Sequence, residues 1–317
     1  MDRKRMYGDL AIFSGNANPD LARQICDYLG VPLRGLDLIE FPNENIFVKL
    51  HESVRSQDVF VIQPTCSPVN RNIIELLIIL DTLKRASAGR ITAVMPYFAY
   101  GRSDKKDQPR VPITARLLAD AIGVAGADRF LTLDLHAGQI QAFFSIPGDD
   151  LSAFSLLSDY FLKKAIPNAV VVSADLGFAK KGRNFAEKLH LPMAFVEKRR
   201  TGPRSQALTV IGDVRGRNAI IVDDEADTGG SLAETVHIVR ENGAQDVYAS
   251  FTHAVLSPPA AQRLRTVGFR EVVTTNTIPI PRHKQFPNLT VLSLAPFLGE
   301  VIRRVHEGQS VGAFLND

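Results

Sequence analysis

The chain has 317 residues, of which 45% are hydrophobic and 22% charged, and its formal net charge is +3. That length suits two domains of roughly 150 residues, each able to bury its own core. The longest apolar run, around Leu76 to Leu80, is far short of the roughly 20 residues a membrane helix needs, and so small a charge, with no interleaving of aromatic and basic residues, argues against a nucleic-acid surface.

From the amino end, Met1 to Met6 is basic, but Tyr7 to Ser14 carries Gly8 and Asp9 and runs into polar turns, which is not the pattern of a secretory signal. A cytoplasmic protein is expected. Short β-branched runs at Leu10 to Ser14, Asp58 to Gln63, Ile91 to Met95 and Phe130 to Asp134 predict strands in the first half. Ala169 to Ser173, Ala194 to Glu197, Ala219 to Val222, Val247 to Thr252 and Val272 to Thr275 predict them in the second. Amphipathic stretches fall between: Val69 to Ala86, Thr114 to Ile122, Phe178 to Leu189, Leu232 to Asn242 and Pro259 to Val267. This alternation predicts an α/β fold with mainly parallel sheets flanked by helices. A boundary near Pro147 to Leu151 would divide residues 1–149 from residues 150–317. Cys26 and Cys66 have no metal-ligand spacing and are expected to be reduced structural thiols.

Several segments carry chemistry. Tyr97 to Arg110 follows a strand and sets Arg102, Lys105, Lys106 and Arg110 around Asp104 and Asp107, a pattern suited to polyphosphate or to a solvated charged loop. Leu133-Asp134-Leu135-His136 ends a strand in a histidine, at the edge where ligands collect in open α/β sheets. Val170 to Gly177 ends another strand at Asp175, which could share a divalent cation with His136. Glu197-Lys198-Arg199-Arg200-Thr201-Gly202-Pro203-Arg204 is a cationic run closing in turn residues, read as a mobile loop able to cover a transferring group. Ala219-Ile-Ile-Val-Asp-Asp-Glu-Ala-Asp-Thr-Gly-Gly-Ser231 is the most informative stretch. An apolar strand meets the acids Asp223 and Asp224, and Thr228, Gly229, Gly230 and Ser231 then open a helix. Backbone N–H groups at a helix N-terminus suit a phosphate, while the carboxylates suit ribose hydroxyls or a hydrated cation.

Together these segments resemble the ribose-phosphate diphosphokinase family, which makes phosphoribosyl pyrophosphate (PRPP). The stretches that carry the resemblance are Phe41-Pro42-Asn43, Glu52 to Arg55, Gln63 to Asn70, Pro96 to Asp104, Asp134 to Phe144, Lys198 to Arg200 and Val222 to Ser231. It implies two phosphoribosyltransferase-like domains, ATP and ribose 5-phosphate as substrates, Mg2+ as cofactor and a homo-oligomer whose adenine site is shared between subunits. Residue by residue, it implies ribose 5-phosphate at Asp223, Asp224, Asp227 and Thr228 to Ser231. Phe41, Asn43 and Asn45, with Arg102, Ser103 and Asp104, would form the ATP site. The magnesium bound to ATP would fall to His136 and Asp175, and the transition state to Lys198 and Arg200. Ser53, Arg55, Arg110 and Ser310 match a regulatory site for ADP and phosphate. The chain departs from the family pattern at Asn45 and Ser103, where glutamate and glutamine are usual. It departs also at Phe178 in place of a glycine, Glu225 in place of methionine and Gly312 in place of serine. These departures motivate a second expectation, a noncatalytic subunit derived from the family. A phosphoribosyltransferase is a third, although that reaction leaves the first domain's adenine and cation segments unexplained.

Overall fold

The computed structural model describes residues 7–174, 177–200 and 206–315, and for 198–200 and 206–208 it describes the backbone alone. The chain forms two compact units, residues 1–152 with 277–279 and 293–317, and residues 153–276 with 280–292.

In the first unit, β1 (Leu10–Ser14) is followed by α1 (Pro19–Leu29), a hairpin of β2 (Leu36–Glu40) and β3 (Ile46–Leu50), and β4 (Asp58–Ile62). Then come α2 (Val69–Arg85), β5 (Arg90–Met95), α3 (Thr114–Ala125), β6 (Arg129–Leu133) and β7 (Gly148–Leu151). The sheet order is β1-β4-β5-β6-β7, with every pair parallel. Full burial of β4 and near-full burial of β5 account for their largely apolar runs, Val59 to Ile62 and Ile91 to Met95, since a parallel sheet is covered on both faces. Leu76, Ile79, Leu80 and Leu83 of α2 and Ala115, Leu118 and Ile122 of α3 fill one cluster against Ala11, Val59, Val61 and Ala93.

The second unit runs α4 (Phe154–Lys164), β8 (Ala169–Ser173), α5 (Ala179–Leu189), β9 (Met193–Arg200) and β10 (Gln206–Ile211). It continues with β11 (Asn218–Glu225), α6 (Gly230–Glu241), β12 (Val247–His253), α7 (Ala260–Thr266), β13 (Glu271–Thr275) and β14 (Leu289–Leu292). Its sheet order is β10-β9-β8-β11-β12-β13-β14, parallel except for the β9–β10 edge. Strand periodicity is visible in β11. Ala219 and Ile221 enter the cluster made with Leu232 and Val236 of α6, while Ile220 and Val222 enter the cluster made with Phe161 of α4 and Phe185 of α5.

The last helix, α8 (Ala295–His306), belongs to the first unit and packs on α1. Gly299 permits this approach, because a Cβ there would collide with the ring of Tyr28. Assigning all of residues 150–317 to the second domain is therefore corrected for 293–317, which close the first unit. Sequence order suggested otherwise because the strand pattern continues unbroken through β13, and only packing shows where α8 settles. Cys26 and Cys66 are buried and free, and burial, assisted by Asp27, pushes the Cys26 thiol up to about 11.

Candidate functional site

The second unit joins two carboxylates to a glycine-opened helix start where β11 gives way to α6. Asp223 and Asp224 stand at the carboxyl end of β11, the edge where open α/β sheets bind ligands. Asp224 is buried, and each carboxylate accepts the next residue's amide, Asp223 Oδ1 at 2.9 Å from Asp224 N and Asp224 Oδ1 at 2.8 Å from Glu225 N. Both bonds lie within the last residues of β11, where Asp223 still pairs with Phe251 and Glu225 with His253 of β12. Ala226 then fixes the loop, its N–H donating to His253 O at 2.9 Å and its carbonyl accepting from Leu256 N at 2.9 Å. Arg263 of α7 donates to the carbonyl of Thr228. Gly229, at φ 69°, is the N-cap and supplies no side-chain acceptor. Only glycine takes that left-handed conformation at little cost, and a helix start with no side-chain cap presents its amides and dipole to an anion.

In the first unit, Phe41, Asn43 and Asn45 share the turn of the β2–β3 hairpin. Phe41 N donates to Asn45 O at 2.9 Å, and Asn43 Oδ1 accepts from Asn45 N at 3.3 Å. Phe41 is 45% exposed, a large aromatic face offered outward beside Phe47. Arg102, Ser103 and Asp104 lie on the loop after β5. Ser103 Oγ accepts from Thr114 N at 3.2 Å and so caps α3, while Asp104 accepts from Gln139 Nε2 at 2.7 Å. His136 is exposed just beyond β6, on a turn held by Leu135 N donating to Asp150 Oδ1 at 3.1 Å. Asp175, its expected metal partner, lies outside the described residues, and among those described no group of three His, Cys, Asp or Glu forms a metal site.

The cationic run differs from its expectation. Glu197 to Arg200 continues β9, with Lys198 opposite Leu208 and Arg200 opposite Gln206 of β10, so the segment up to Arg200 is a strand. Interstrand pairing overrides the turn-like composition there. The side chains of Lys198 and Arg200, and all of Thr201 to Ser205, lie outside the described residues.

Phe178 does not stand in the loop as a free obstacle. As the N-cap residue of α5, it packs on the cluster of Phe161, Phe185 and Val222, with Lys181 Nζ 5.8 Å from its ring centroid. The four regulatory candidates are all exposed. Ser53 Oγ accepts from Arg55 N at 3.4 Å and Ser310 Oγ from Gly312 N at 3.2 Å. No hydrogen bond or ion pair among the described residues joins Arg110 to the other three. Arg263 and Gln139 were not singled out from sequence. Both act through hydrogen bonds to residues more than 30 positions away, for which local patterning holds no signal.

Two parallel α/β units, one of them joining paired carboxylates to a glycine-opened helix start, define a protein of phosphoribosyltransferase-like architecture. The description "N-terminal domain of ribose phosphate pyrophosphokinase" matches residues 10–126, and "phosphoribosyl synthetase-associated domain" matches residues 199–316. A ribose-phosphate pyrophosphokinase of Caldanaerobacter subterraneus subsp. tengcongensis is 47% identical over 309 residues, 97% of this chain and 98% of that one. A chloroplastic ribose-phosphate pyrophosphokinase 1 of Oryza sativa is 48% identical over 307 residues, 96% of this chain and 78% of that one. The crystal structure of phosphoribosylpyrophosphate synthetase from Mycobacterium smegmatis superposes with a TM-score of 0.90 at 45% identity, covering 95% of this chain and 100% of that one. The chain belongs to the ribose-phosphate pyrophosphokinase family.

Proposed function

We propose that the chain transfers the β,γ-diphosphoryl group of ATP to the anomeric hydroxyl of ribose 5-phosphate, giving PRPP and AMP. The carrying observation is the cradle between β11 and α6, where two carboxylates and an uncapped, glycine-opened helix start are adjacent. The 5-phosphate would sit on the amides of Thr228 to Ser231, with Asp223 and Asp224 accepting from the ribose hydroxyls. The anomeric oxygen forms a bond to the β-phosphorus, the bond from that phosphorus to the oxygen bridging the α-phosphate breaks, and the hydroxyl proton is released. Such a transfer asks the protein chiefly for positioning and charge stabilisation. Arg102 would orient the polyphosphate, and Lys198 and Arg200 would meet its developing charge.

Magnesium, when bound, neutralises and orients the phosphates. His136 and Asp175 would hold it. The exposed position of His136 beyond β6 fits an ion that takes one or two protein donors and fills its remaining positions with phosphate oxygens and water. The outward-facing Phe41 supports adenine recognition from a neighbouring copy of the chain, and hence a homo-oligomer. Two free, buried thiols support a reducing, cytoplasmic setting. The packing of half-buried Phe178 against the apolar cluster weighs against a noncatalytic subunit.

Incubation with ATP, magnesium and ribose 5-phosphate, followed by phosphorus NMR, tests the reaction. Sugar-dependent AMP and PRPP are expected. Formation of ADP, or no turnover, overturns the proposal.

A further inference from the structure

We infer that Asp104 and Gln139 form a clamp that sets Arg102 and His136 in mutual register, so that Asp104 is a positioning residue and not a nucleotide ligand. The inference rests on the ATP reading of this loop. Asp104 is only 8% exposed, and its Oδ2 accepts from Gln139 Nε2 at 2.7 Å, a short bond strengthened by the carboxylate's charge. Gln139 lies three residues beyond His136, on the short 3-10 turn Gly138–Phe143. Ile140 anchors that turn in the first unit's core.

The other side of Arg102 is held as firmly. At Gly101 an added Cβ would lie 3.4 Å from the Cβ of His136, so the two loops run close together there. Ser103 is fixed to α3 twice, its hydroxyl accepting from Thr114 N at 3.2 Å and its carbonyl accepting from Ala115 N at 3.2 Å. Ser103 N also donates to Tyr100 O at 2.8 Å, closing a tight turn around Arg102. Arg102 therefore stands between two anchored neighbours. Of these ties, the Asp104–Gln139 bond joins its loop to the turn bearing His136. A guanidinium that orients polyphosphate and an imidazole that serves its magnesium must keep a fixed separation, because small displacements of positioning groups cost rate steeply. The clamp supplies that constraint without touching the substrate.

The test exchanges donor and acceptor. Gln139→Glu places two carboxylates against each other. Asp104→Asn combined with Gln139→Glu restores one donor and one acceptor with the partners reversed. Steady-state kinetics of wild type, both single variants and the pair should show Gln139→Glu raising the KM for ATP about tenfold or more, the weight of one charge-assisted hydrogen bond. The KM for ribose 5-phosphate should stay within about twofold, because the change is local to the ATP loop. Asp104→Asn alone should be mild, since an amide oxygen still accepts, and the pair should return to within about threefold of wild type. A pair no better than Gln139→Glu, an unaltered Gln139→Glu, or an Asp104→Asn as damaged as Gln139→Glu would overturn the clamp. Should Gln139→Glu fail to fold, Gln139→Met removes the donor without adding charge and must still raise the KM for ATP. Wild-type turnover, measured alongside, tests the function separately. If it is absent, calorimetric ATP affinities of the same variants judge the clamp by the same pattern.

Discussion

His306 Nδ1 lies 2.8 Å from Asp58 Oδ2, across 248 residues of sequence. Asp58 is fully buried, and Arg90 meets the same carboxylate through Nε at 2.8 Å and Nη2 at 2.6 Å while also donating to the carbonyl of Val305 at 3.1 Å. Two strand residues, β4 and β5, are thereby joined to the end of α8. Asp58→Ala would leave the Arg90 guanidinium without its carboxylate in a mostly buried site, a change that typically costs about 3–5 kcal/mol. Urea unfolding should show a loss of that size, with a smaller one for His306→Ala. Equal, negligible effects would show that α8 is held by apolar packing alone.

Gly229→Val should weaken ribose 5-phosphate binding. A side chain at φ 69° strains the backbone by roughly 1–2 kcal/mol, and its Cβ would press on Leu264 at 3.4 Å. The KM for ribose 5-phosphate should rise about tenfold or more, with the KM for ATP little changed. A shift in both would point to general loss of fold, which a thermal scan would register.

Phe178→Gly places the glycine that the family resemblance leads one to expect, yet it should not improve the enzyme. Removing a half-buried ring packed against the cluster that holds Phe161 and Phe185 loses apolar contact, for which partly buried aromatics lose roughly 1–3 kcal/mol. A lower melting temperature with kcat unchanged or reduced is expected. A severalfold rise in kcat would show that the ring does crowd the reacting group.

Lys198→Ala should lower kcat by about a hundredfold or more, as expected when one charge-stabilising donor is lost from a transition state. The KM for ribose 5-phosphate should move by no more than a few fold. Equal losses in both would place Lys198 in ground-state binding.

Glu271 accepts from Tyr160 and Thr290, each at 2.6 Å, and pairs with Lys164 at 2.8 Å. Burial pushes its carboxyl up, but the bonds from Lys164, Thr290 and Tyr160 outweigh burial and hold it below the usual glutamate range. A depressed folded value stabilises above the unfolded pKa of about 4.3 and is lost as pH falls through the folded value. Lys164 is shifted up by the same pair, so its share persists until the pH passes its ordinary alkaline value. The melting-temperature gap between wild type and Glu271→Gln should be widest near neutrality and narrow below about pH 4. A gap independent of pH would mean that shape, not charge, holds this cluster.

Much of the sheet could be read in advance. Leu10 to Ser14 and Ala169 to Ser173 match β1 and β8 residue for residue, because unbroken apolar runs are what doubly covered parallel strands require. The smaller elements were less legible. Gly148 to Leu151 has little strand propensity and becomes β7 only by pairing with β6. The β2–β3 hairpin alternates too briefly to stand out. By contrast α1 carries its start signal locally, Asn18 accepting from Leu21 N and Pro19 opening the helix. Of the candidate site, the cradle was legible because its whole chemistry is contiguous from Asp223 to Ser231. Gln139 holding Asp104 and Arg263 holding Thr228 were not, since each pairing exists only after folding.

The return of α8 to the first unit has a consequence for biosynthesis. A ribosome releases residues 153–276 and 280–292 before residues 293–317, so the later-encoded unit is complete while the earlier one still lacks its closing helix. The unit that begins first must finish last, and the nascent first half waits with the α1 surface that α8 will cover still open to water or to a chaperone. Splitting the gene at the midpoint would therefore yield an amino-terminal fragment that cannot mature alone, whatever the quality of its five-stranded sheet.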